Sequence, residues 1–172
     1  MAEPETWQPP SVGQRAERSR TFTDADVEAY ARLTGDRNPL HFSDEFVAGT
    51  RFGRRIVHGG LTTGLFNAIV AEQLPGPGSV FLRQEWDYPA PVYVGDEVTA
   101  EVEVLEARSD KPITRLGCLA RRADGTEVLR GQSVVYTAVP DPADISPRRV
   151  DDGIDLHGET GARLSGMNDR CR

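Results

Sequence analysis

The chain is 172 residues long, with 38% hydrophobic and 27% charged residues, which suits one domain with a real apolar core. Twenty bases against twenty-seven acids leave a net charge of −7, which disfavours non-specific attraction to nucleic acid. No window approaches the roughly 20 apolar residues of a membrane span, so neither a nucleic-acid nor a membrane partner is expected.

The first residues, Met-Ala-Glu-Pro-Glu-Thr-Trp-Gln-Pro-Pro, are acidic and proline-rich and lack the basic and apolar regions of a signal peptide. Cys118 and Cys171 are the two cysteines, too few for a disulfide framework or a zinc site. Both features point to free thiols in a reducing cytoplasm. Residues 1–12 read as a tail broken by Pro4, Pro9 and Pro10. The domain then runs over 13–139. Residues 140–172 form a polar tail that cannot bury enough surface to offset its ordering entropy, and disorder is expected there. His157 and Cys171 fall in that tail and are expected to be exposed and without function.

Within the domain, a first helix begins near Thr23, whose hydroxyl can cap it while Asp24 and Asp26 meet the positive end of the dipole. Val27, Tyr30, Ala31 and Thr34 follow at helical spacing, and Gly35 stops it. Residues 36–39 must turn, because Pro39 drives Asn38 out of the α region and sends the chain extended toward Leu40 and His41. Residues 43–49 can add a short helical turn. A second helix starts after Gly59-Gly60, with Leu61, Leu65, Ala68, Ile69 and Glu72 on its stripe. Phe66 and Val70 widen the apolar face, so this helix reads as buried, and Leu74-Pro75-Gly76-Pro77-Gly78 ends it. Strands follow at 79–86, 98–104, 113–120 and 127–139. The third and fourth are joined by Ala123-Asp124-Gly125-Thr126, a hairpin signal. One long buried helix followed by antiparallel strands is an α+β pattern, with a curved sheet expected to wrap around a long central helix. A lone sheet of that kind leaves an outer edge unpaired, which favours a dimer that continues it.

Two stretches could carry chemistry. In Thr34-Gly35-Asp36-Arg37-Asn38-Pro39-Leu40-His41, a carboxylate and an imidazole lie five residues apart across a proline-constrained turn, which can aim both at one water. Imidazole titrates near neutrality and can take or give a proton in turnover. Spacing alone nevertheless favours a plain turn former and a satisfied loop histidine. In Ile56-Val57-His58-Gly59-Gly60-Leu61, glycines at a helix start leave backbone N–H groups free with the dipole behind them. Such groups can stabilise the enolate oxygen developing on a thioester. The alternative is that the glycines only permit close packing, and His58 reads as structural rather than as a third catalytic group. Other chemistries lack support: there is no Gly-x-Ser-x-Gly elbow, no Gly-x-Gly-x-x-Gly, no P-loop and no His/Cys metal cluster. Trp86, Tyr88 and Tyr93 read as core or rim.

Gly35-Asp36-Arg37-Asn38-Pro39-Leu40-His41 followed by Ile56-Val57-His58-Gly59 resembles the MaoC-like dehydratases, specifically the bacterial (R)-specific enoyl-CoA hydratases. The likeness continues through 73–76 and 94–102 and spans about residues 13–138, leaving out both tails. It implies a hotdog fold, usually a homodimer with a continuous sheet. It also implies reversible hydration of a trans-2-enoyl thioester to the (R)-3-hydroxyacyl thioester without metal or redox cofactor. By the same resemblance, Asp36 and His41 would activate the water and return a proton to Cα, and the Gly59 N–H would bind the thioester oxygen. Asn38 would shape the loop or touch substrate. How the protons divide between Asp36 and His41 stays open, since a coupled pair can be described either way. The chain departs from the family at Asn67, where relatives often carry a small hydroxyl residue. It departs again at Gly60, where a larger apolar residue is common, with Thr62 and Thr63 following. These positions bear on the acyl pocket.

The leading expectation is thus a hydratase/dehydratase acting on an acyl-CoA. An alternative keeps the fold and the pair but takes an acyl group on a carrier protein in a biosynthetic pathway, an idea favoured by the polar Thr62, Thr63 and Asn67. A hotdog thioesterase has nothing beyond the fold to support it. A non-catalytic acyl-binding subunit would be expected to have lost Asp36 or His41, and both are present.

Overall fold

The computed structural model of the protein describes residues 7–138. The expectations for 140–172, His157 and Cys171 included, lie outside the described residues. Among the described residues, five strands and four helices are formed: β1 (Arg15–Thr21), α1 (Asp24–Thr34), α2 (Pro39–Phe42), α3 (Asp44–Ala48), α4 (Gly59–Glu72), β2 (Ser79–Asp87), β3 (Glu97–Ala107), β4 (Ile113–Arg122) and β5 (Glu127–Thr137).

The helix boundaries follow from their caps. Thr23 and Asp26 form a reciprocal capping box, the Thr23 hydroxyl accepting from Asp26 N at 3.3 Å and the Asp26 carboxylate accepting from Thr23 N at 2.9 Å. Gly35 closes α1 at φ 81°, a left-handed value that a glycine adopts without steric cost. Immediately beyond it, the chain does not run extended toward His41. Asn38 is driven out of the α region as its proline neighbour requires (φ −55°, ψ 130°), but Pro39 then occupies the first turn of α2. A proline there loses no hydrogen bond that the helix could have made.

The strands form one antiparallel sheet in the order β1-β3-β4-β5-β2. β1 has no counterpart among the expected elements. Its sequence, Arg-Ala-Glu-Arg-Ser-Arg-Thr, lacks apolar alternation, so its pairing with β3, from Arg15↔Glu103 to Thr21↔Glu97, is written in the polar face. Arg15 bonds Glu101 and Glu103 at 3.1 and 2.7 Å, and Ser19 and Thr99 share a hydroxyl hydrogen bond at 2.7 Å. Such cross-strand pairs stabilise a sheet as apolar ones do. Trp7 also donates its indole N–H to the Arg108 carbonyl at 2.9 Å, tying the start of the described chain to the end of β3.

The expectation of a curved sheet wrapped around a long central helix is overturned. β1 and β2 stand at opposite edges of an open, hotdog-like sheet and do not meet. The fold is α+β, with α4 laid against one face. There Val98, Ala100, Val102 and Val104 of β3 join Leu65, Phe66, Ile69 and Val70 of α4 in one buried cluster, with Phe66 stacked on Trp86 of β2 at 5.3 Å between ring centroids. The physical reason is size. An α-helix with its side chains is about 10–12 Å across, whereas closing a sheet takes about eight strands merely to surround packed side chains. Five strands can cover one side of α4. Accordingly Asn67, Ala71 and Glu72 of α4 stay exposed, and Glu72 pairs with Arg18 of β1 at 2.7 Å. Among the described residues, no helix is long and apolar enough to cross a membrane.

Candidate active site

The αL turn at Gly35 swings Asp36 off the end of α1, and a local ladder fixes it. Asn38 N donates to Asp36 Oδ1 at 3.1 Å, and Asn38 Oδ1 in turn accepts from Leu40 N at 3.1 Å as the cap of α2. Asn38 thereby shapes the loop. α2 carries His41 one turn onward, where its imidazole is buried. The segment before α4 is held to the sheet side by Val57 N to Val92 O at 2.8 Å and to α2 by Ile56 N to Leu40 O at 3.1 Å. That places the Ile56 carbonyl 2.8 Å from His41 Nδ1.

A carbonyl only accepts, so Nδ1 carries the proton and His41 Nε2 presents a lone pair. It faces Asp36 Oδ2 at 3.8 Å. This is too long for a direct hydrogen bond and suited to a bridging water. Burial is the main influence on His41 and pulls its pKa below the ordinary 6.5; the Ile56 hydrogen bond opposes this, His58 adds to it, and the Asp36 carboxylate opposes it. The imidazole is therefore mostly neutral at pH 7 and able to accept a proton.

His58 completes the cluster. Its Nε2 lies 3.0 Å from the Asp36 backbone carbonyl and 3.9 Å from Asp36 Oδ2. Its ring lies against that of His41, tilted by 30° with centroids 3.7 Å apart. Ligand-type atoms of Asp36, His41 and His58 all lie within 4.8 Å of one another. Three such groups could in principle hold a cation, but His58 Nε2 is committed to a carbonyl. The pair left free, a carboxylate oxygen and one imidazole nitrogen, suits a water.

Beside them opens a cleft of about 530 Å³, lined by His41, Gly59, Thr62, Tyr88, Arg51 and Phe52 among others. Gly59 begins α4, and among the described residues its N–H meets no backbone acceptor, as is usual in a first helical turn. The positions singled out for substrate contact separate here. Thr62 is buried and lines the cleft. Thr63 donates its hydroxyl to Gly60 O at 3.0 Å within the helix, and Asn67 is exposed on α4 away from the cleft. Gly60 backs onto Tyr30: a Cβ there would lie 1.9 Å from the phenol oxygen.

Residues that sequence reasoning passed over as site groups are Tyr88, Arg51, Tyr30 and the second histidine. Tyr88 covers Gly59, with ring atoms 3.1–3.5 Å from where a Cβ would stand, and partial burial pushes its hydroxyl pKa up. Arg51 is exposed at the cleft, its guanidinium over Phe52 at 5.0 Å. Neighbouring Arg55 is paired with Asp24 and Asp44, and Arg54 with Asp96, while no acid is paired with Arg51 among the described residues. His58 alone had a local signal, its place before Gly-Gly; the other three are brought in by distant segments.

An antiparallel sheet covered on one face by a helix, with a carboxylate and an imidazole facing each other beside a free amide at the helix start, defines a hotdog-like protein. Residues 6–117 match the MaoC-like domain, and the chain belongs to that family. It is 48% identical over 124 residues to an (R)-specific enoyl-CoA hydratase of Aeromonas caviae, covering 72% of this chain and 92% of the relative. It is 39% identical over 142 residues to a 3-hydroxybutyryl-CoA dehydratase of Methylorubrum extorquens, covering 83% and 90%. Among solved structures, an (R)-hydratase from A. caviae superposes with a TM-score of 0.72 at 46% identity, covering 75% of this chain and 98% of that one.

Proposed function

We propose that the protein is a hydro-lyase that reversibly adds water to a trans-2-enoyl-CoA, giving the (R)-3-hydroxyacyl-CoA. The observation that carries this reading is the 3.8 Å gap between Asp36 Oδ2 and the lone pair on His41 Nε2, beside the free Gly59 amide. A water seated in the gap gives a proton to the pair while its oxygen bonds to C3. The π electrons of the C2–C3 double bond move toward the thioester oxygen, where the Gly59 N–H and the α4 dipole stabilise the enolate. Collapse of the enolate takes a proton from the pair at C2, so water is added and the pair is restored. The (R) outcome is carried over from the A. caviae relative. Arg51, exposed at the cleft without an acidic partner, supports a substrate whose carrier bears phosphates.

The free β1 and β2 edges, with Val80 and Leu82 of β2 more than half exposed, favour a homodimer through the sheet, checked by light scattering after gel filtration. Cys118 is buried and free among the described residues, and burial pushes its thiol up to about 11. The function is tested with crotonyl-CoA, following the ultraviolet absorbance of the conjugated thioester. The proposal expects loss of absorbance without free thiol, abolished in Asp36→Asn and His41→Ala. Free thiol would indicate a thioesterase, and no change with any enoyl thioester would refute hydration.

A further inference from the structure

We propose that His58 is a positioning residue that holds the catalytic pair from behind: its ring supports the His41 imidazole while its Nε2–H pins the backbone of Asp36. The inference rests on the hydration reading for its rate consequence but on geometry alone for the arrangement. His58 is 2% exposed and is absent from the cleft lining, so it does not reach a substrate there. Because the Asp36 carbonyl 3.0 Å away can only accept, the His58 proton sits on Nε2 and Nδ1 carries a lone pair. That Nδ1 is buried with no hydrogen-bond partner, a group whose desolvation is uncompensated. The chain keeps a half-satisfied imidazole where an apolar side chain would avoid that cost.

What the ring does there is visible in its neighbours. It is boxed by His41 at 3.7 Å, Tyr30 at 4.8 Å and Phe42 at 6.1 Å between centroids. These contacts come from α1 and α2 and converge on the N-cap of α4. Asp36 belongs to none of them; it sits in the turn between α1 and α2, and its side chain is 49% exposed. Its carboxylate is steered by the 3.1 Å bond from Asn38 N on one side and by the anchored carbonyl on the other. Without the Nε2–H anchor the turn gains freedom, and the 3.8 Å gap that must hold a water is no longer fixed.

Two variants separate positioning from mere packing. His58→Gln can keep an N–H donor within reach of the Asp36 carbonyl, and His58→Leu removes it at similar bulk. In turnover of crotonyl-CoA, corrected for folded fraction by circular dichroism, His58→Leu is expected to lose about ten- to hundredfold in kcat with KM changed less than about threefold. His58→Gln should recover most of that loss. Equal damage in both variants, or a His58→Leu kcat within about twofold of the parent, overturns the proposal. A second readout needs neither folding of the variants nor activity: 15N NMR of the imidazoles in the parent protein. The expected spectrum has the proton on Nε2 of His58 and on Nδ1 of His41; a proton on Nδ1 of His58 overturns the arrangement. A parent protein that shows these tautomers yet hydrates no enoyl thioester refutes the function and leaves the arrangement standing.

Discussion

Gly60→Ala tests whether the site is braced through Tyr30. The new methyl would lie 1.9 Å from the Tyr30 oxygen, 2.6 Å from Cζ and 3.1 Å from Cε2, whereas carbon contacts settle near 3.5–4.0 Å. The end of the phenol must therefore move by about 1.5 Å. Tyr30 is half-buried on α1, so its tip can yield and the fold survives. Overpacking of this kind costs about 1–3 kcal/mol, or a fall of about 2–12 °C in Tm for a domain of this size. The ring cannot move without disturbing His58, on which it lies at 4.8 Å, and His58 in turn supports His41 at 3.7 Å. A shift of about 1 Å at reacting groups costs on the order of a hundredfold, so a ten- to hundredfold fall in kcat/KM for crotonyl-CoA is expected. Adding Tyr30→Phe deletes the nearest atom but leaves the 2.6 Å contact, and should recover part of both losses. The assay is a thermal melt beside steady-state hydration. A Gly60→Ala protein that melts and turns over like the parent refutes the brace.

Asp36→Asn should leave the far-ultraviolet circular dichroism unchanged, since the side chain is half exposed and contributes little packing, while crotonyl-CoA hydration falls at least about a hundredfold; an unfolded variant would show the residue to be mainly structural. His41 is held below its ordinary 6.5 chiefly by burial, so kcat/KM should hold above pH 6.5 and fall only below it as the base is protonated, and a profile already falling above pH 7 contradicts the burial argument. The same shift sets the sign for stability. As pH drops below 6.5 the unfolded chain takes up the proton before the native one, so this contribution is complete above 6.5 and declines from there down to the lower native value; urea titrations of the parent and His41→Asn at pH 7.5 and 5 should show the larger loss in the parent. Arg51→Gln should raise KM for crotonyl-CoA by about fivefold or more, as loss of a charge-assisted phosphate contact would, and leave crotonyl-pantetheine, which lacks those phosphates, unchanged. Phe66→Ala, which empties the stack on Trp86, should cost about 3–5 kcal/mol in urea unfolding.

Local sequence determined much of this protein, because much of it is encoded within a few residues. Thr23 and Asp26 cap α1 by contacts three residues apart and Gly35 ends it, whereas the extended run expected beyond Pro39 is replaced by α2, and the distance from Asp36 to His41 is also held by Ile56 and His58 from farther along the chain. The alternation of Val98, Ala100, Val102 and Val104 fixed the buried face of β3. What failed was whatever depends on partners far along the chain. β1 is a strand because Glu101, Glu103 and Thr99 lie opposite it, and nothing in Arg-Ala-Glu-Arg-Ser-Arg-Thr announces them. Whether the sheet wraps α4 was decided by the number of strands and which two are left at the edges, quantities that periodicity does not contain. The roles open to His58 and Gly60 were likewise hidden. Sequence read the first as a structural neighbour of Gly-Gly and the second as a pocket residue. Only the folded chain sets Tyr30 of α1 against both, with His58 turned toward Asp36 and His41 and Gly60 away from the cleft. The caps of α1 are short-range and legible in sequence; stacking and edge pairing join residues tens of positions apart, so only the folded chain decides them.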